Sequence, residues 1–268
     1  MNFEDWKEKM QNNQQKQNTR SQTKPKNTQI KKQFANFGWL FYKGYFLDFT
    51  KDDYEDMLNE TFTKSIKDKT DKIFDANFKL NTSPSPIKNI ANQTFKLTTT
   101  YPGLLVGSGY MHELPNVKEQ IQLGFDFDYT TGLPIIRGSS IKGALRSAFK
   151  HKEYIKEILD KDIDVKKLEE SIFENSDIFF DAVVFKVKDK LLGDDYVTPH
   201  KDELKNPIPI RFLKVLPEVT FEFYFRLDDG DSVTKEDKAN LFKEILLDLG
   251  VGAKTNIGYG KFKRSEKS

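Results

Sequence analysis

Apolar and polar residues alternate along the last two-thirds of the chain with periods that predict an ordered series of elements. Between 93 and 100, Phe95, Leu97 and Thr99 recur at every second position, the period of a half-buried strand. Ile141, Ala144, Leu145, Ala148 and Phe149 then fall at i, i+3, i+4, i+7 and i+8, one face of a helix, with further helix through Ile158 and over 168–173. Residues 178–187 and 219–227 are rich in β-formers and predict two strands. A helix over 234–249 has Thr234 as N-cap, Asp237 completing a capping box and Gly250 as its stop. A last strand is expected over 257–263. The order β-α-β-β-α-β predicts an α+β, ferredoxin-like (RRM-like) split βαβ core. Irregular insertions are expected at 101–138 and 188–217.

The first third reads differently. Residues 1–33 are rich in Gln, Asn, Lys and Thr and cannot bury enough apolar surface to offset ordering entropy, which predicts a disordered basic tail. Aromatic residues crowd 34–49, a segment expected to pack, and a long charged helix is expected over 52–80. Thr82-Ser83-Pro84-Ser85-Pro86 then breaks the chain. The predicted organisation is a tail at 1–33, a largely helical N-terminal extension at 34–92 and the main domain at 93–268.

Composition narrows the function. With 268 residues the chain can bury a core without staples, and the absence of Cys excludes disulfides, thiolate metal sites and thiol catalysis. No apolar run approaches a membrane span, so a soluble, cytoplasmic protein with no membrane partner is expected. The net charge of +2 hides a segregation: residues 9–47, 129–150 and 250–268 carry +8, +4 and +4, which leaves the remainder at −14. Basic blocks of this kind suit a polyanion such as nucleic acid, although charge blocks are also ordinary solvated surface.

Two of the basic blocks are glycine-rich. Gly250-Val251-Gly252-Ala253-Lys254-Thr255-Asn256-Ile257-Gly258-Tyr259-Gly260-Lys261-Phe262 can turn backbone N–H groups outward around an anion. It is not a nucleotide P-loop: Ala253 stands where that motif needs Gly, and the stretch follows a helix rather than a strand. The other block, Gly132-Leu133-Pro134-Ile135-Ile136-Arg137-Gly138-Ser139-Ser140-Ile141-Lys142-Gly143-Ala144-Leu145-Arg146, opens the first helix. Ser139 or Ser140 is expected to cap it, and Lys142, Arg146 and Lys150 would form a basic stripe opposite the apolar face.

Together these two stretches resemble the RAMP superfamily of CRISPR-associated proteins: the helix-opening block matches its Pro-Gly-Ser-Ser-hydrophobic-Lys-Gly motif, and the other its C-terminal glycine-rich loop. Gly103-Leu104-Leu105-Val106-Gly107-Ser108-Gly109, Phe179-Phe180-Asp181-Ala182, Asp195-Tyr196-Val197-Thr198-Pro199-His200 and Pro207-Ile208-Pro209-Ile210-Arg211-Phe212-Leu213 are similar to one group within it, the sixth subunit of type III-B (Cmr) effector complexes. The likeness covers roughly 93–263; Arg137 departs from it, standing where the family has Pro.

The resemblance implies a non-catalytic subunit that stacks with other RAMP subunits of a Cmr complex, binds guide RNA near its 3′ end and gates pairing with target RNA. The RNA-facing candidates it implies are Ser139, Ser140, Lys142 and Arg146 with Gly252, Lys254, Asn256 and Gly258. Arg137, Lys150, Tyr259 and His200 are added from the residues themselves. In a sheet of order 4-1-3-2 the strand preceding the first helix neighbours the strand that follows the loop, so both basic motifs are expected on one surface. Contacts to backbone would make binding sequence-independent and salt-dependent. No cofactor or metal is expected.

Some residues are also candidates for catalysis. A ribonuclease of the same fold would use a His with Tyr or Lys as general acid and base, which makes His151 its candidate. His112, His151 and His200 share no metal-ligand spacing. Gly193-Asp194-Asp195 reads as a turn, and Asp126 with Asp128 as one face of a strand. Gly258-Tyr259-Gly260 with Phe262 echoes an RRM stacking motif, but packing of Tyr259 against the first strand is the simpler expectation. An RNA-cleaving enzyme and a binder of small anions are the competing functions.

Overall fold

Strand β1 (Gln93–Thr99) lies inside an antiparallel sheet, and its neighbours follow from the phenylalanines that face it. The computed structural model describes residues 36–47, 60–80, 86–107, 120–198 and 209–265. The basic tail at 1–33, the break at 82–85, residues 52–59 of the charged helix, Ser108, Gly109, His112 and His200 lie outside them. On one side β1 pairs with β7 (Val219–Arg226), placing Leu97 opposite Phe221 and Phe95 opposite Phe223. On its other side it pairs with β8 (Phe262–Arg264). Strand β4 (Ala182–Val187) lies beyond β7, and the two-residue β2 (Ile135–Ile136) pairs with β4 at the edge. Another short strand, β3 (Ile178–Phe179), pairs with the far end of β7. Taking β1, β4, β7 and β8 as the four core strands in chain order, the sheet runs 4-1-3-2, all antiparallel.

Phe95 stacks on Phe223 and Phe225 at 5.3 and 5.4 Å between ring centres, and Phe225 meets Phe242 of the last helix at 5.4 Å. Phe221, Phe223 and Phe225 are fully buried, and each contributes on the order of 1.5–3 kcal/mol by removal of apolar surface from water. Helix α3 (Gly138–Ala148) turns Ile141, Leu145 and Ala148 inward, the face its period predicts. It is followed by α4 (Lys152–Leu159) and α5 (Val165–Glu174). Helix α6 (Lys235–Leu249) begins with the expected capping box: Thr234 Oγ1 accepts the Asp237 amide at 3.2 Å, and the Asp237 carboxylate accepts the Thr234 amide at 3.0 Å. It ends at Gly250. The opposite face of the sheet is polar, with Thr98 hydrogen-bonded to Thr220 at 2.9 Å and Lys96 beside Glu222.

Ahead of the sheet, α1 (Phe37–Tyr42) is capped by Asn36, whose side chain accepts the Trp39 amide at 2.8 Å. Its Phe37 and Phe41 sink into the hydrophobic cluster that also holds Phe125, Phe127 and the sheet phenylalanines. Of the charged helix expected over 52–80, α2 (Glu60–Asp75) is described and ends earlier than expected, residues 76–80 being non-helical; it joins the same cluster through Phe62, Ile66 and Ile73.

Three expectations need correction. The stretch 178–187 is two strands, parted at Phe180 and Asp181, because Asp181 turns away to serve the start of α3. The final strand is shorter than 257–263, since residues Thr255–Ile257 form a 3₁₀ turn and Gly258 and Gly260 take left-handed backbone angles. The insertion at 188–217 is not irregular where it is described. Strands β5 (Leu192–Val197) and β6 (Ile210–Val215) form an antiparallel ribbon, with residues 199–208 outside the described part. Gly193, Asp194 and Asp195 are therefore strand, not turn. Their charges are met diagonally across the ribbon: Arg211 Nε lies 2.7 Å from Asp194 and Lys214 Nζ lies 2.7 Å from Asp195.

Candidate nucleic-acid interface

The entry to α3 is built by a partner distant in sequence. Arg137 occupies the N-cap position without a side-chain cap, and Asp181 Oδ1 accepts the Gly138 amide at 2.7 Å. A Cβ at Gly138 would lie 2.2 Å from the Phe179 carbonyl oxygen, so only glycine lets the helix start so close to the β3 end. This corrects the expectation of a serine cap. Ser139 and Ser140 sit exposed in the first turn instead. The first intrahelical hydrogen bond is from Ile141 to the Arg137 carbonyl, and among the described residues the Ser139 and Ser140 amides, at the positive end of the helix, have no acceptor. Arg137 itself is half-exposed and lies 3.7 Å from both Asp126 and Asp181, so much of its charge is answered within the fold.

The basic stripe does not stand free either. Arg146 Nη2 donates to Glu174 at 2.7 Å and Nε to Glu169 at 3.0 Å, so it clamps α3 to α5. These two carboxylates, Glu174 first, raise its already high pKa. Lys142 lies 5.7 Å from the centre of the Phe179 ring, and Lys150 is exposed just past the end of the helix. Arg146→Ala is accordingly expected to lower Tm in a thermal melt, because the tie between α3 and α5 is lost. An unchanged Tm would show that the clamp contributes nothing to the fold.

The glycine loop folds back on itself and onto the chain that follows β1. Val251 donates to the Gly260 carbonyl at 3.0 Å, Gly260 to Gly103 at 2.8 Å and Ala253 to Leu105 at 3.0 Å. Gly252, at φ +98°, would place a Cβ 2.3 Å from the Leu105 carbonyl oxygen, so its role is close backbone approach within the fold. Lys254 also has left-handed backbone, at φ 60°, and its ammonium lies 5.9 Å from the Phe212 ring centre. Asn256 is exposed, and Gly258 packs beside Pro102. Among the described residues the Gly252 and Lys254 amides have no backbone acceptor.

Loop and helix line one cleft of about 490 Å³. Ser140, Gly143, Ala144 and Ser147 of α3 form one wall, residues 249–253 with Thr255 the second, and Leu105, Val106 and Gly107 the third. The wall from α3 is its face of small residues; Lys142 and Arg146 lie on a different face of the same helix. A Cβ built on Gly143 meets nothing within 4 Å. Tyr101, 85% exposed, follows β1 just before Pro102; one tyrosine beside a proline carries no pattern in the sequence.

Tyr259 is the candidate whose placement differs most from a solvent-facing stacker. It is only 7% exposed, and it packs with Leu105, Phe212 and Val197 beneath the loop rather than on β1. Its hydroxyl donates to Asp195 Oδ2 at 2.6 Å; burial and then this carboxylate push the phenol pKa above its usual value. Burial opposes the charge of Asp195, but hydrogen bonds from Lys214, Tyr259 and the Tyr196 amide prevail and hold its pKa below the ordinary carboxylate range. Neither Asp195 nor Lys214 could be assigned this place from spacing, since their partners lie on other elements.

The residues weighed for catalysis do not converge. His151 is exposed at the start of α4, and its ring has no hydrogen-bond or ion-pair partner among the described residues. Asp126 is buried beside Arg137, whereas Asp128 accepts the Thr131 amide at 2.6 Å. Among the described residues no group of three or more His, Asp or Glu is placed to hold a metal ion. No helix of the described residues is long and apolar enough to cross a membrane.

Sheet order and cleft together define a ferredoxin-like α+β protein whose first helix and C-terminal glycine loop share one surface. The chain belongs to the RAMP superfamily, whose family model matches residues 96–263. A curated relative, the CRISPR system Cmr subunit Cmr6 of Pyrococcus furiosus, is 34% identical over 105 residues, covering 33% of this chain and 30% of the relative. The chain thus spans under a third of the length of that relative. Among solved structures, a chain of the type III-B Cmr-β complex bound to cognate target RNA shares the fold with TM-score 0.54 at 24% identity, covering 87% of this chain and 91% of that one. The crystal structure of Cmr6 from Pyrococcus furiosus gives TM-score 0.39 at 22% identity, covering 65% and 97%.

Proposed function

We propose that this chain is a non-catalytic, RNA-binding subunit of a type III-B CRISPR (Cmr) effector complex, acting in the cytoplasm in antiviral defence. It holds guide RNA by its backbone near the 3′ end, contacts the guide–target duplex, and stacks beside other RAMP subunits. The observation that carries this reading is the cleft that Ser140 at the start of α3 and Gly252 of the glycine loop both line, with amides at both that have no backbone acceptor among the described residues. Amides fanned at a helix N-terminus and a glycine loop favour an extended polyanion and make no demand on base identity. Superfamily membership and the likeness to Cmr6 support the assignment of that polyanion as CRISPR RNA. Lys254 and Asn256 then border the path of the phosphates, while Lys142 lies on another face of α3. Ser140 and Gly252 line it, and Gly258 shapes the loop. Arg137, Arg146 and Tyr259 hold the walls in place.

Filter binding of guide RNA and of guide–target duplex, with and without Mg²⁺, tests this. The expected result is retention of both without cleavage, with log K falling linearly against log salt at a slope of about −1.5 to −3, as for a few phosphates on single-stranded RNA. Cleavage that disappears in His151→Ala or Asp126→Ala would establish an endoribonuclease instead. Failure to retain any RNA longer than a few nucleotides would point to a small-anion binder.

A further inference from the structure

The glycine loop is anchored on its inner side to the β5–β6 ribbon by one carboxylate. Asp195 Oδ2 receives two donors, the Tyr259 hydroxyl at 2.6 Å from the loop and the Lys214 ammonium at 2.7 Å from β6, while Asp195 Oδ1 accepts the Tyr196 amide at 2.9 Å. The rings beneath repeat the connection. Tyr259 meets Phe212 edge-on at 6.1 Å, Lys214 lies 5.9 Å from the Tyr259 ring centre, and Lys254 lies 5.9 Å from that of Phe212. Leu105 belongs to the same small apolar cluster, and its carbonyl holds the Ala253 amide. Among the described residues, the side chains that pack on Tyr259 in this cluster come from the ribbon (Phe212, Val197) and from the segment after β1 (Leu105).

At its other side the ribbon is tied to the extension. Arg211 Nε donates to Asp194 at 2.7 Å, and its guanidinium reaches Asp71 of α2 at 3.9 Å and lies 5.6 Å from the Phe74 ring centre. The ribbon is thus fixed at one face by Arg211 and joined to the loop at the other by Asp195.

We propose that Asp195 is the joint that makes ribbon and glycine loop move as one body, with Asp195 and Tyr259 acting as positioning residues for Lys254 and the loop amides. Neither residue touches the ligand. The Tyr259 hydroxyl fixes its ring against Phe212, the ring from whose centre the Lys254 ammonium lies 5.9 Å, and through Phe212 it sets where that ammonium stands. A displacement at either end of the ribbon is felt in the cleft, and filling the cleft stiffens the ribbon, because linkage between two sites is reciprocal. Only the RNA arm of the test below rests on the RNA-binding reading; the coupling itself is a property of the free chain.

Hydrogen exchange on the full-length protein reads the coupling directly. Tyr259→Phe removes one hydroxyl and keeps the ring, so the core stays filled. It should raise exchange on the order of tenfold in peptides covering 252–258 and, together with them, in both ribbon strands, with β1 and α6 unchanged. A rise confined to the loop, no rise at all, or a uniform rise that includes β1 and α6 would each overturn the joint. Asp195→Asn, which keeps an acceptor but loses the charge that holds Lys214, should give the same paired pattern. In the second arm, Lys254→Ala and Tyr259→Phe should each weaken guide-RNA binding several-fold at low salt, and the double variant should be no more than about twofold weaker than Lys254→Ala alone. Multiplying losses would show that Tyr259 does not act through Lys254. If the unmodified chain binds no RNA, the RNA-binding reading fails on its own account, and the exchange pattern still decides the joint.

Discussion

Gly143→Glu is expected to cut guide-RNA affinity by about 10- to 100-fold at low salt, with Tm unchanged or slightly raised. The position faces the cleft from the small-residue side of α3, and a Cβ there meets nothing within 4 Å. A carboxylate placed among phosphates removes roughly 1–3 kcal/mol of attraction, comparable to like charges brought close at an interface. The helix itself gains, because glycine in a helix interior costs on the order of 0.5–1 kcal/mol relative to residues with a side chain. Loss of binding and gain of stability in one variant is a pairing that a folding defect cannot mimic. Gly143→Ala serves as the control and should keep most of the affinity. If Gly143→Glu binds RNA as the unmodified chain does, the phosphates do not run through this cleft.

The largest effect on stability is expected at a pair that no functional argument touches. Lys238 of α6 is buried, with its side chain 2% exposed, and donates at 2.8 Å to Asp177, whose side chain is 0% exposed. The same ammonium donates to the Asp228 carbonyl at 2.8 Å, and Asp177 accepts the Asp228 amide at 2.8 Å. Three segments are joined: the residue before β3, the exit from β7 and the second turn of α6. Asp177→Ala leaves a buried ammonium with one neutral acceptor and should cost about 3–5 kcal/mol. In a chain of this size that lowers Tm by roughly 10 °C. Asp177→Asn keeps the shape but not the charge and should fall between. A Tm within a degree or two of the unmodified protein would mean that Lys238 finds water or a new partner, and that the pair is not sealed.

Elements whose signals are local were legible in the sequence. The inward face of α3 follows from the spacing of Ile141, Leu145 and Ala148, and the start of α6 from Thr234 and Asp237, three residues apart. The 4-1-3-2 order could be inferred because so few topologies connect a βαββαβ series without crossing. What the sequence hid is uniformly long-range. The α3 entry is served by Asp181, and the charge of Arg146 is spent on Glu169 and Glu174; all three partners lie on other elements. Gly193-Asp194-Asp195 looks like a turn because two adjacent acids and a glycine disfavour a strand. Only Arg211 and Lys214, from the opposite strand, make that strand tenable. Tyr259 shows the same limit from the other direction. Between two glycines it has the context of an exposed loop aromatic, yet Asp195 and Phe212 draw it inward.

The site therefore differs in composition from the stripe of cations that the sequence suggested. Its cleft walls are small side chains and backbone amides. Lys254 stands beside them, Lys142 lies on another face of α3 over the Phe179 ring, and Arg137 and Arg146 are engaged by acids. A surface of that kind suits regularly spaced phosphates and is indifferent to bases, as the proposed holding of a guide RNA by its backbone requires.

Ultraviolet cross-linking of guide RNA to the chain within its assembled complex, followed by peptide identification, decides whether RNA runs through the cleft. Cross-links are expected on peptides spanning 138–147 and 252–258, lost together in Gly143→Glu. Cross-links confined to the opposite face of the sheet, around Lys96 and Glu222, and indifferent to that substitution, would contradict that path.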